Sequence, residues 1–248
     1  MNQKQENINR LERIYILAKT DFKQRYFDTK LCLLWAFINP VFRLLVFYFI
    51  FTYIFQHQTE NYALYIFSGI IFWIFFSETT RKGMTLFVHK RYLLMNIKIN
   101  KSDIFFASVL STFTGFLFNI IVFFIVSQFF PVSYSLKLLY IIPIFLNLFI
   151  FVMAVNMILS SVFIYFRDLN HLWDIALLIG FWTLPVIWDQ TFILENAKFI
   201  CYINPLTGML INLREVALFN QTLSTELFIY DIMYSALLLL IGYYMMKK

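Results

Sequence analysis

Apolar residues run through this chain in blocks that are too long for strands and too continuous for surface helices, separated by short basic or polar stretches. Six blocks reach or approach the roughly 20 residues that carry an α-helix across a bilayer: 31–55, 62–80, 104–130, 138–166, 173–188 and 227–246. The pattern predicts an all-α membrane protein with six transmembrane helices in one domain, 31–248. Ahead of them the period changes. Ile8, Leu11, Tyr15, Ala18, Phe22 and Tyr26 are spaced by threes and fours, with Arg10, Arg13, Lys19 and Lys23 on the other face. This spacing predicts a basic amphipathic helix within 1–30, lying in the lipid headgroup region or docked on a partner protein, and the two are compatible.

One stretch breaks the simple pattern. Residues 199–219 are apolar, yet they carry Asn204-Pro205, Gly208 and Arg214-Glu215, which are costly against lipid. A pair of short re-entrant helices between the fifth and sixth spans, inside an outer region 189–226, accommodates them, because irregular backbone at membrane depth must be buried in protein. The other reading is an ordinary surface loop.

Composition narrows the class. Of 248 residues 61% are hydrophobic and 14% charged, against about 25% charged in soluble domains, which leaves no room for a large soluble catalytic domain. Six crossings place sixteen of the twenty Lys and Arg residues on one side and only Lys137, Lys198 and Arg214 on the other, with Arg43 inside the first span. The positive-inside rule then puts both termini in the cytoplasm. The first thirty residues hold eleven charges and no apolar core of a cleavable signal peptide.

The chemistry is notable for what is missing. No two of the six glycines lie closer than fourteen residues, so no phosphate-cradling glycine loop and no G-x-x-x-G pairing motif exists. Cys32 and Cys201 are too few for a disulfide framework, and His57, His89 and His171 lack metal-ligand spacing. Without a D-x-D pair or a long cytoplasmic loop, a membrane glycosyltransferase is disfavoured, and without repeats or paired midplane charges so is an ion-driven transporter. No metal, cofactor or nucleic-acid partner is expected of this chain.

Three stretches together resemble one family: RYFDTKLCLLWAFINPVFRLLVFYFIFTYIF (25–55), YALYIFSGIIFWIFF (62–76) with Ser68-Gly69, and YFRDLNHLWDIALLIGFWTLPVIW (165–188), followed by Asn204-Pro205 and Arg214. Their order and layout resemble the permease subunit of bacterial ABC-type polysaccharide exporters, O-antigen or teichoic-acid type, with capsule permeases as near relatives. The resemblance implies a homodimer in the inner membrane, paired with two copies of a cognate ATPase that carries ATP and Mg. It implies export of an undecaprenyl-pyrophosphate-linked polysaccharide. An ABC exporter of drugs or short lipids is the alternative.

The resemblance also implies site residues. Aromatic rings that stack on sugar faces make Trp35, Phe42, Tyr48, Phe72, Trp73, Phe181 and Trp182 candidate channel liners, although bulk against lipid explains such residues equally. Lys23, Arg25 and Lys30 stand where a lipid headgroup would arrive, and Arg43 is expected to face the channel, pair with a carboxylate or snorkel. The loop 81–103 should contain a short coupling helix, with Leu86, Lys90, Arg91 and Tyr92 toward the ATPase, unless that helix lies on lipid. Asn204, Pro205 and Arg214 would guard the outer mouth. Arg167-Asp168 reads as a local ion pair, and Asp174 and Asp231, near span ends, are expected to reach water.

Overall fold

The computed structural model describes residues 3–26, 34–50, 61–96 and 99–247, though not the side chains of 3–9, 25, 26, 36, 37, 40, 43, 44, 47 and 48. Every described element is a helix: α1 Gln3–Tyr26, α2 Leu34–Phe49, α3 Tyr62–His89, α4 Arg91–Asn96, α5 Lys101–Ser127, α6 Ile141–Tyr165 after a 3₁₀ turn at Leu136–Tyr140, α7 Leu169–Thr183, α8 Gln190–Asn196, α9 Phe199–Ile203, α10 Pro205–Ala217 and α11 Thr225–Lys247. Four of them are long and apolar enough to cross a membrane: α3, α5, the 3₁₀ turn with α6, and α11. The first expected span is represented by α2, and its flanks at 31–33 and 51–55 lie outside the described residues.

Helix α3 is the hub. Over 62–76 it is apolar on every side, and a stretch of helix with no polar face has to be buried on every side. It packs against α5 and α6 along most of its length and touches α2, α7 and α10. Phenylalanines fill the joints: Phe75 lies 4.7 Å from Phe116, whose ring is 5.0 Å from Phe145. Helix α6 also packs on α11, closely at Gly242, where a Cβ would come within 3.1 Å of the Ala154 carbonyl. Small size at the crossing is what lets two backbones approach.

Several boundaries move from the hydropathy reading, each for a local reason. The second span was expected to stop at 80, but α3 continues to His89. Charged Arg81 and Lys82 are good helix formers, and Thr79, Thr80 and Thr85 return their hydroxyls to carbonyls one turn back. The stretch 81–103 is therefore mostly helical. Helix α7 starts four residues earlier than expected and ends at Thr183, because Pro185 disfavours helix in the residue before it and has no N–H to continue the ladder. The stretch 199–219 contains the short helices α9 and α10, preceded by α8. Asn204 caps α10: its Oδ1 accepts from Leu206 N at 3.2 Å, with Pro205 in the first turn.

Candidate functional site

Aromatic rings from α3 and α7 form a continuous ladder. Trp173 lies 6.2 Å from Phe76, Phe76 lies 5.7 Å from Trp73, Trp73 meets Phe181 edge-on at 5.8 Å, Phe181 meets Trp182 at 5.6 Å, and Trp182 is 6.5 Å from Trp188. These separations are in the range of favourable aromatic pairs. Between Trp173 and Trp182 the ladder follows α7 for roughly 14 Å at 1.5 Å per residue. Gly180 makes the joint possible, since a Cβ there would sit 2.9 Å from the Trp73 ring. The outer rungs remain open: Trp182 is 54% and Trp188 53% exposed.

The ladder is held at both ends. Near Trp173, the indole Nε1 donates to Thr80 Oγ1 at 3.1 Å, and Arg81 pairs with Asp174 at 2.9 Å. Near Trp188, the anchor is Arg214 of α10, which is fully buried. Its guanidinium donates to Ser68 Oγ at 3.1 Å, to the Tyr65 carbonyl at 2.8 Å, to the Val186 carbonyl at 3.2 Å and to the Pro185 carbonyl. It also lies 3.5 Å over the Tyr65 ring. The Tyr62 and Tyr65 hydroxyls donate in turn to the carbonyls of Ile187 (2.9 Å) and Trp188 (2.7 Å). The carbonyls of residues 185–188, outside any helix, thus receive their hydrogen bonds from α3 and α10. Gly69 leaves the space: a Cβ there would lie 2.7 Å from Arg214 Nη2. Next to the brace, Gln190 donates to Glu215 at 2.6 Å, and burial pushes the Glu215 carboxyl up despite that bond.

At the other end, α1 runs beside α5 in the same direction. Arg10 pairs with the fully buried Asp103 at 2.7 Å, and Phe22 stacks on Phe118 at 5.9 Å. Ala18 is buried, while Leu11 and Tyr15 from the same expected stripe are exposed. The stripe is therefore divided between α5 and the surroundings. Lys90, at the end of α3, pairs with Asp21 of α1.

Of the expected liners, Trp73, Phe181 and Trp182 come together in the ladder, and Trp35 and Phe42 are exposed on α2. Phe72, at 1% exposure, belongs to the core, one residue around the helix from Trp73. Tyr48 and Arg43 lie on α2 with side chains outside the described residues, as does that of Arg25 on α1; Lys30 and Cys32 lie outside altogether. Lys23 is exposed. Leu86 is buried against Ile104 and Phe105. Lys90 is engaged by Asp21, whereas Tyr92 is 82% exposed and Arg91 is exposed. Arg167 and Asp168 are both exposed, and none of the described ion pairs joins them. Asp231 does not reach water. It is fully buried against α10, where only Gly208 leaves room for its carboxylate. Sequence reasoning missed Phe76, Trp173 and Trp188 as ladder members, and their signal was the density of aromatics in 62–76 and 165–188.

The described residues hold no group of three or more His, Cys, Asp or Glu suited to a metal. Residues 12–218 match the ABC-2 type transporter family, and the chain belongs to it. It is similar to two proteins of Klebsiella pneumoniae named O-antigen export system permease protein RfbA, 25% and 26% identical over 214 residues, spanning 86% of this chain and 82% of each relative. A Myxococcus xanthus protein of the same name is 23% identical over 207 residues, 78% of this chain and 75% of the relative.

Proposed function

We propose that this chain is the channel-forming permease of an ABC exporter that carries a lipid-linked polysaccharide, O-antigen or similar, across the bacterial cytoplasmic membrane. The observation that carries the reading is the exposed end of the aromatic ladder, the Trp182–Trp188 pair, with the partly buried rungs packed behind it. Ring faces bear negative charge density and attract the C–H edges of sugar rings without selecting one sugar sequence, which suits a sliding polymer. The names of the relatives support the same substrate class.

In this reading α2 and α7 complete six spans, both termini are cytoplasmic, and two copies of the chain enclose the path. The chain itself hydrolyses nothing. ATP and Mg belong to two copies of a partner ATPase, which docks on α4 through the exposed Tyr92 and Met95, while Leu86 holds α4's base in place. Helix α1 with Lys23, Arg25 and Lys30 serves as the lipid gate, with Arg43 beyond it. The helices α8 to α10, pinned by Arg214, dip back from the outer face and form the outer gate with Asn204 and Pro205.

The test is a strain lacking this gene, stained for surface polysaccharide and extracted for lipid-linked polymer. A bare surface with intact polymer trapped in the inner membrane is expected. A normal surface would refute the reading in favour of a drug or small-lipid exporter, and loss of the polymer itself would move the role to synthesis.

A further inference from the structure

A cavity of about 450 Å³ opens between α1, α3 and α5. That is within the usual range of small-ligand sites, roughly 300–1,000 Å³. Its walls carry three cations, Arg81, Lys82 and Lys90, against one carboxylate, Asp21. Asp21 is held by Lys90. Asp174 reaches Arg81 from α7, but both side chains of that pair are about half exposed, and exposed pairs exchange readily with other anions. Lys82 is exposed and has a partner of its own, so it too takes up an added anion only by exchange.

The wall formed by α5 carries hydroxyls. Ser108 and Ser111 line it, and both are buried. Hydroxyls on this helix ordinarily return to a carbonyl of their own helix, as Thr112, Thr114 and Ser127 do. Ser111 Oγ does not, and it has no hydrogen-bond partner in the structure. A buried hydroxyl without a partner costs free energy unless a ligand or water satisfies it. Cations on one wall and a free hydroxyl on the opposite wall suit an anion with several oxygens on a small centre.

We propose that this cavity binds a phosphate-bearing group, a diphosphate or a phosphodiester headgroup, with Arg81 and Lys82 as its cationic ligands and Ser111 as a hydroxyl donor. The site is separate from Lys23, Arg25, Lys30 and Arg43. Its placement at the cytoplasmic face rests on the permease reading, whereas its chemistry does not. Arg81 stands where α3 passes from apolar to basic sequence, the level of lipid phosphates, so the bound group belongs either to the carrier of the exported polymer or to a bulk anionic lipid.

The test uses the full-length chain in nanodiscs of neutral lipid, titrated with inorganic pyrophosphate by calorimetry. Saturable binding is expected. R81Q/K82Q is expected to weaken it by roughly tenfold or more, since hydrogen bonds to charged groups are the strong class; its Tm is read alongside, because the Arg81–Asp174 pair is lost with it. S111A should weaken it several-fold, and K101Q/K247Q, a control for general surface charge, should leave it unchanged. Displacement by undecaprenyl pyrophosphate would assign the site to the carrier, and displacement by phosphatidylglycerol alone would assign it to bulk lipid; both support phosphate chemistry. Absence of saturable binding, or equal affinity in R81Q/K82Q, overturns the proposal. A normal surface in the deletion strain overturns the permease reading instead, so the two ideas fail separately.

Discussion

Replacing Arg214 with methionine isolates the brace at the outer end of the ladder. The side chain is fully buried and its guanidinium serves four acceptors, two of them carbonyls of the non-helical segment at Pro185 and Val186. Methionine roughly fills the space but donates nothing, so both carbonyls are orphaned at about 1–3 kcal/mol each. The desolvated cation–π contact with Tyr65, on the order of 2 kcal/mol, is lost as well. Against these, no buried charge has to be desolvated, which returns a few kcal/mol. The net loss is about 2–5 kcal/mol. For a chain of this size each kcal/mol moves Tm by roughly 2–4 °C, so R214M should melt about 4–20 °C below the wild type. Tryptophan fluorescence of the purified full-length chain reads this directly, because Trp182 and Trp188 lie next to the brace. An R214M protein melting within about 2 °C of wild type would refute the reasoning, since it would mean the carbonyls of 185 and 186 need no donor from α10.

Further outcomes follow from the same geometry. G69A should destabilise by about 1–3 kcal/mol through overpacking and by clearly less in the R214M background, because the Cβ collides with Arg214 Nη2; additive melting losses would exclude that contact. W182A and W188A, both exposed, should reduce polysaccharide export while leaving Tm almost unchanged, whereas F72A should cost about 3–5 kcal/mol of stability as a buried-ring deletion; export assays and melts on the same three variants separate the roles. D103N leaves Arg10 without its carboxylate and should loosen α1 from α5, read as faster tryptic cleavage within 10–23. Glu215 titrates above its ordinary value because it is half-buried, so its contribution to stability is fully present below about pH 4.3 and is lost as pH rises through its raised value; E215Q should flatten the fall of Tm across that interval, and an unchanged slope would count against burial as the cause.

Hydropathy alone determined the helical class and located α3, α5, α6 and α11 to within a few residues at most ends, because lipid and a dry core both demand long apolar helices. Local chemistry also marked the start of α10, where Asn204 supplies the cap and Pro205 fits the first turn. Position around a helix is another matter. Phe72 and Trp73 sit side by side in a stretch of helix that is apolar on every face, so no periodicity separated the buried ring from the ladder rung. The roles of Arg214 and Asp231 were hidden for a related reason. An arginine in an apolar stretch signals cost, but what offsets the cost here is backbone from Tyr65 and Pro185, far away in sequence and exposed to hydrogen bonding only where the chain turns at the proline. Asp231 reads as a water-seeking residue near a helix end until Gly208 is seen to admit it against α10. Periodic burial is a local property that sequence carries, whereas the partner of a buried polar group is a long-range contact, and only the packed structure decides it.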